Sequence, residues 1–216
     1  MIYEEFEKIL LEEFPDLDAK ALERFRAMDA LYREWNAKIN VVSRKDIDSL
    51  YEHHVLHSLA IASYIKRNGM DGGVKTVLDL GTGGGFPGIP LAVMFPDWRF
   101  TLCDSIGKKV RVATEVAAAL GLENVTTVNA RAESLPGPFD YVVSRAVTTL
   151  TNFYPWVKGH FSDSILYLKG GDVNVEIADL MGSFKLPKGS VSTWNIDSWL
   201  SWDYFAEKFV IQIKNS

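Results

Sequence analysis

The chain has almost no cysteine: Cys103 is the one thiol in 216 residues. An intrachain disulfide framework is therefore excluded, and a cysteine-based zinc site is not expected. Long apolar runs are missing as well. No stretch approaches the roughly 18 apolar residues that span a bilayer. Met1 leads straight into Ile-Tyr-Glu-Glu, without the basic and apolar regions of a signal peptide. The expectation is a cytoplasmic protein with no membrane contact. A surplus of base is also lacking. The 23 Lys and Arg stand against 28 Asp and Glu, a net charge of −5, which argues against coating nucleic acid by charge alone. No Gly-x-Ser-x-Gly, His-Glu-x-x-His or Cys-x-x-Cys occurs, so the signatures of the serine hydrolases, the zinc proteases and the dithiol enzymes are absent.

What is present suits an ordinary packed core. Apolar residues make up 47% and charged residues 24% of the chain, and the length fits one domain or one domain with an appendage. Charge is unevenly spread. Residues 1–19 hold Lys8 against seven acids, whereas residues 20–45 hold seven bases against three acids. Apolar spacing through Phe6, Ile9, Leu10 and Phe14, then through Ala21, Phe25, Met28, Tyr32, Trp35 and Ile39, predicts two helices broken at Pro15-Asp16. Ser49–Ile65 is a third helical stretch. Residues 1–70 read as a helical N-terminal extension packed on the core, and 71–216 as the main domain.

From Val74 the period alternates between strand and helix. Strands are expected at Val74–Leu80, Trp98–Cys103, Val125–Asn129, Phe139–Ser144 and Ile165–Leu168, with late strands at Val191–Ile196 and Phe209–Ile213. Helices are expected at Ile89–Phe95 and Lys108–Leu120. This pattern implies an α/β fold, a mainly parallel Rossmann-like sheet with helices on both faces. Residues 182–206 give no clear pattern.

The most informative run is Asp79-Leu-Gly-Thr-Gly-Gly-Gly-Phe-Pro-Gly-Ile-Pro, a strand end feeding Gly81, Gly83, Gly84 and Gly85 and then a helix. Such a loop lets a ligand approach the backbone, and the helix start offers free N–H donors. Residues 83–88 formally match the dinucleotide fingerprint, so a nicotinamide-dependent oxidoreductase is one reading. The other is the pattern acid-x-Gly-x-Gly-x-Gly from Asp79 to Gly85, which resembles motif I of S-adenosylmethionine-dependent methyltransferases. A carboxylate two residues before the first glycine repels a pyrophosphate but suits a methionine ammonium, which favours the second. Asp104, at the end of the next strand, can accept both ribose hydroxyls in either reading. Ala132 and Glu133 follow the third strand, where such folds contact adenine.

Few groups remain for chemistry. Ser144-Arg145-Ala146 stands after the fourth strand, where amine methylases carry an Asn/Asp-Pro-Pro motif, and Cys103 lies on a strand beneath the ligand edge. An acceptor with its own lone pair, such as guanine N7, fits this lack. Arg145 is placed to grip an anion or stack on a base. Lys169 ends the fifth strand, and Lys108 and Lys109 open a helix, against its dipole. His53 and His57 share a helical spacing, but a metal site is not expected there.

These residues together resemble the bacterial small-subunit ribosomal RNA guanine-N7 methyltransferases, the glucose-inhibited division protein B family. The likeness runs from about residue 30 to 176. It rests on Trp35-Asn36 and Asn40, His54 with Ser58-Leu59, Asp79 to Ala92, Asp104-Ser105 with Lys108-Lys109, Arg131 and Glu133, Phe139-Asp140, Ser144-Arg145-Ala146 and Leu168-Lys169-Gly170. It implies methyl transfer from S-adenosylmethionine to guanine N7 in 16S ribosomal RNA, bare or in the small ribosomal subunit. It also implies cofactor contacts at Gly81, Phe86, Ala132, Glu133 and Arg145. Asp79, Gly83, Gly85 and Asp104 complete the expected cofactor site. Asn36, Arg44, Lys45, Lys108, Lys109 and Lys169 are the expected RNA contacts, and Arg145 the positioning group. The chain is expected to act as a monomer. An S-adenosylmethionine-binding ribosome-assembly factor without activity is the non-enzymatic alternative. The family usually has Asn-Leu-Thr where this chain has Asn40-Val41-Val42, and commonly Asp at His57.

Overall fold

The computed structural model describes residues 1–43 and 45–215. The first helix, α1 (Tyr3–Glu13), carries Glu4 and Glu5 in its first turn, where acids suit the helix dipole. Asp18 caps α2 (Ala19–Lys38) by accepting the Ala21 N–H at 2.7 Å. Ala21, Phe25, Met28 and Tyr32 form its buried stripe. A short 3-10 turn then leads into a π-helix, Leu50–Leu56, and on into α3 (His57–Arg67). Phe6 packs against Phe25 and Tyr51, with ring centroids 5.5 and 4.8 Å apart. Every residue of α3 up to Ile65 is buried, as expected of a helix covered on all sides.

The sheet follows as β1 (Thr76–Leu80), β2 (Arg99–Asp104), β3 (Val125–Asn129), β4 (Phe139–Arg145), β5 (Phe161–Gly170), β6 (Val191–Asn195) and β7 (Lys208–Lys214). Its order is β3-β2-β1-β4-β5-β7-β6. The pairings are parallel from β3 to β5, and β7 runs antiparallel to both of its neighbours. Strand alternation divides the core. Val77, Phe100, Leu102, Val143 and Leu166 face α1 to α3 together with α4 (Gly88–Met94) and α5 (Gly107–Ala119). Leu78, Cys103, Val142, Ile165 and Ile211 face α6 (Leu150–Val157) and α7 (Val173–Phe184).

Sequence periodicity anticipated the strands and helices α1, α2, α4 and α5 within a few residues, whereas the single helix expected over Ser49–Ile65 divides into the π-helix Leu50–Leu56 and α3. It missed α6 and α7, although Leu150, Phe153, Tyr154 and Val157 keep helical spacing. Pro155 obscures the pattern, yet it sits close to the helix end. Residues 182–206 resolve into the end of α7, strand β6 and two 3-10 turns. Among the described residues no helix is long and apolar enough to cross a membrane.

Candidate active site

The strand order reverses between β1 and β4, and the C-terminal ends of the parallel strands open there into a cleft of about 580 Å³. This is the switch point at which open α/β sheets bind ligands. Its walls include Gly81 after β1, Asp104 at the end of β2, Ala132 and Glu133 after β3, and Arg145 at the end of β4. Five of the expected cofactor residues thus meet in one space. Lys109 stands at the same wall, and Trp156 from α6 faces it. Trp156 was not anticipated. The signal that could have found it is the helical spacing of α6, which places an aromatic beside the apolar stripe.

Asp79, Gly85 and Phe86 are buried away from this wall instead, while Gly83 stands beside it, next to Asp104. Asp79 is fully buried. One carboxylate oxygen accepts the Thr82 hydroxyl at 2.6 Å and the Gly88 N–H at 2.7 Å, so it folds the glycine loop onto the start of α4. The other oxygen has no partner. Burial pushes its pKa up to about 7, against the pull of the Thr82 and Gly88 hydrogen bonds. Asp79 was expected to face a ligand ammonium; in this structure one of its oxygens holds the glycine loop, and its side chain is not among those lining the cleft.

The N-terminal helices brace that loop from outside. The Tyr32 hydroxyl donates to the Gly84 carbonyl at 3.0 Å, and the Tyr32 ring packs on Phe86 at 4.6 Å. Val41 presses so closely on Gly84 that a Cβ there would meet it at 2.8 Å. Asn36 sets Val41 in place. Its side-chain oxygen accepts the N–H groups of Val41 and Val42, and its amide donates to the Val42 carbonyl. Asn36 was expected at the RNA surface, but its polar groups are committed to this turn.

Asp104 is buried at the cleft edge and accepts from Gly83 N–H at 3.0 Å and Ile106 N–H at 2.9 Å. A carboxylate offers about four acceptor positions, so capacity remains for a ligand. Gly83 has φ +57°, and nothing lies within 4 Å of where its Cβ would be, leaving the backbone open beside that carboxylate.

Arg145 is partly buried. It donates to the His53 carbonyl at 3.2 Å and to His54 Nδ1 at 3.0 Å, and its guanidinium lies 5.3 Å from the Phe86 ring centroid. Burial lowers its pKa from the usual guanidinium value, yet arginine stays charged in proteins. Among the described residues it has no carboxylate within ion-pair distance. A half-covered cation at a cleft wall without a direct anionic partner is suited to an anionic ligand.

The expected RNA contacts separate into two groups. Lys45 and Lys108 are exposed, and Lys109 reaches the cleft. Arg44 lies outside the described residues. Lys169 differs from expectation: its ammonium bonds the Thr148 carbonyl at 3.0 Å and pairs with Glu176 at 2.9 Å. It pins the loop after β4 and has little left for a phosphate. His53 and His54 both contact Asp46, and among the described residues no group of three His, Cys, Asp or Glu side chains is placed to hold a metal ion.

A family model described as rRNA small subunit methyltransferase G matches residues 21–196. The chain is 47% identical over 212 residues to the ribosomal RNA small subunit methyltransferase G of Flavobacterium psychrophilum, covering 94% of this chain and 96% of that one. It is likewise 47% identical over 215 residues to the protein of that name from Bacteroides fragilis, covering 95% and 98%. Among solved structures, the magnesium protoporphyrin IX methyltransferase of Synechocystis PCC 6803 with bound SAH matches with a TM-score of 0.61. That match covers 92% of this chain and 100% of the other at 14% identity, a likeness of fold.

Proposed function

Because the chain belongs to the rRNA small subunit methyltransferase G family, we propose that it transfers the methyl group of S-adenosyl-L-methionine to N7 of one guanine in 16S ribosomal RNA. The observation that carries this reading is the convergence of Gly81, Asp104, Ala132, Glu133 and Arg145 on the switch-point cleft. The donor set fits the nucleoside: a carboxylate with spare acceptor capacity, an open glycine backbone and a cation without an ion pair.

In this assignment Asp104 accepts the ribose hydroxyls, and Ala132 N–H and Glu133 meet the adenine edge. Ile106 and Trp156 supply apolar walls to the same base. Arg145 takes the methionine carboxylate. When bound, the cofactor supplies a sulfonium methyl, an electrophile that needs in-line approach. The protein's task is then mainly orientation and exclusion of water. Guanine N7 carries an available lone pair, so no side chain has to remove a proton first. Lys45, Lys108 and Lys109 hold the RNA backbone near the cleft. The substrate is the RNA alone or within the small subunit. The protein acts as a cytoplasmic monomer, with residues 1–70 as an extension bracing the domain at 71–216.

The test is transfer of labelled methyl to naked 16S RNA and to small subunits, followed by reduction and aniline cleavage of the product. Label with a strand break at one guanine is the expected result. Label without a break overturns the N7 assignment, and no label on either substrate overturns the reading as a whole.

A further inference from the structure

The cation at the cleft wall is held by a chain of groups that ends far from it in sequence. Arginine can only donate hydrogen bonds. His54 Nδ1, 3.0 Å from the Arg145 guanidinium, must therefore be its unprotonated, accepting nitrogen. The ring proton then sits on Nε2, and Nε2 lies 2.6 Å from an Asp46 carboxylate oxygen. A carboxylate there fixes the tautomer and the ring plane, as in carboxylate–histidine pairs elsewhere. Asp46 also takes a hydrogen bond from the neighbouring His53 ring.

The second anchor of Arg145 is the His53 carbonyl, and it is held independently. The Tyr204 hydroxyl donates to that same carbonyl at 3.1 Å, and the Tyr204 ring stacks on the His53 ring at 3.8 Å. Tyr204 comes from the turn before β7 and lies beyond residue 196, where the match to the family model ends. Both histidines belong to the π-helix Leu50–Leu56, a widened turn of the kind that recurs at functional sites. Burial and the Arg145 charge lower the His54 pKa to about 4, so the accepting form persists at neutral pH.

We propose that Asp46 and His54, buttressed by Tyr204, are positioning residues that aim the Arg145 guanidinium at the bound cofactor. The inference rests on the reading of Arg145 as a cofactor contact. Asp46 acts through His54, and neither touches the reacting atoms. Without the His54 acceptor the guanidinium keeps its charge but loses one of its two tethers.

Two measurements test this. In 15N-histidine-labelled parent protein, NMR should show His54 as the Nε2–H tautomer, and Asp46→Ala should shift it to a mixture. An Nδ1–H tautomer in the parent overturns the proposal, whether or not any variant folds. Calorimetric titration with S-adenosylhomocysteine gives the second readout. His54→Leu should weaken binding by about tenfold or more, the worth of one charge-assisted hydrogen bond. His54→Asn places an amide oxygen where Nδ1 was and should restore most of the affinity. Parent-like affinity in His54→Leu, or equal losses in the Leu and Asn variants, overturns the positioning role. Arg145→Ala separates the layers: parent-like affinity there overturns the cofactor assignment itself.

Discussion

Replacing Tyr32 by Phe removes a single oxygen from the brace on the glycine loop. Tyr32 is fully buried, and its hydroxyl meets the Gly84 carbonyl at 3.0 Å. The ring that packs on Phe86 at 4.6 Å is retained, so no large cavity opens. The cost is the loss of a buried hydrogen bond and the carbonyl left without it, about 2 kcal/mol. For a chain of this size that is a fall in Tm of roughly 4–8 °C. Because the loop forms part of the cleft wall through Gly81, the thermal shift produced by S-adenosylhomocysteine should also shrink. Differential scanning calorimetry with and without that ligand reads both effects. A Tm within about 1 °C of the parent would mean that water or a relaxed loop replaces the bond, and that Tyr32 does not hold the loop. Tyr32→Leu, which also strips the ring from Phe86, should cost more than Tyr32→Phe.

Gly88→Ala would push a Cβ to 2.6 Å from an Asp79 oxygen and 2.8 Å from Leu102; it should destabilise by about 1–3 kcal/mol in urea unfolding, as overpacking does. Trp156→Ala should leave the fold intact and raise the KM for S-adenosylmethionine, since the ring faces the cleft while its residue is only half-buried. Lys169→Met should lower Tm, because it releases the Thr148 carbonyl and the Glu176 pair, while leaving the salt dependence of RNA binding unchanged. Stability should also depend on pH in a defined direction. Burial lowers the pKa of His54 to about 4 and depresses His57 as well, so both are neutral in the fold and take up protons on unfolding below about pH 6.5. Asp79, raised to about 7, opposes them by holding a proton in the fold. Two protons favouring the unfolded state against one favouring the fold make stability fall by about 1.4 kcal/mol per pH unit between pH 6.5 and 4. Asp79→Asn removes the opposing group and should steepen that fall.

Much of the fold was legible because its signals are local. The strand–glycine–helix run at Asp79 to Pro90 names its own geometry, and β1 and α4 sit on either side of it. The residues that line the cleft at the ends of β2 and β4, Asp104 and Arg145, were readable from their place after apolar strands. The residues behind the wall were not. Asp79 matches a ligand-binding pattern, but its burial and its bond to Gly88 depend on how α4 packs against the sheet. Asn36 looked like a surface amide on a basic helix, because nothing local reveals that the chain turns back to place Val41 and Val42 on it. His53, His54 and His57 read as a helical cluster. Their meaning comes from Asp46, Arg145 and Tyr204, the last of which is 151 residues from His53. Long-range partners of this kind leave no period in the sequence. The departures at Val41 and His57 share this feature: Val41 seats the glycine loop, and His57 hydrogen-bonds the Tyr204 hydroxyl at 3.2 Å.

The charge pattern of the N-terminal part also changes meaning once partners are known. Residues 20–45 are strongly basic, which invites a reading as an RNA surface. Most of that charge is occupied. Arg24 binds the carbonyls of Leu120 and Gly121, Arg26 pairs with Glu7, Arg33 with Asp29 and Asp48, and Lys38 with Glu34. The acidic residues 1–19 complement this surface through Glu7, which pairs with Arg26, while Glu13 pairs with Arg67 of α3. Such pairs on exposed helices contribute little stability, but they cancel field. Away from them, Lys45, Lys108 and Arg131 are exposed without an ion pair among the described residues, and Lys109 and Arg131 line the cleft. The net charge of −5 is therefore compatible with a limited RNA-facing patch, because these unpaired basic side chains stand at the cleft, while others such as Lys20, Lys185 and Lys188 are exposed elsewhere on the surface. A protein arranged this way gains affinity from a few contacts around one opening, which suits modification of one nucleotide in a long RNA better than general coating.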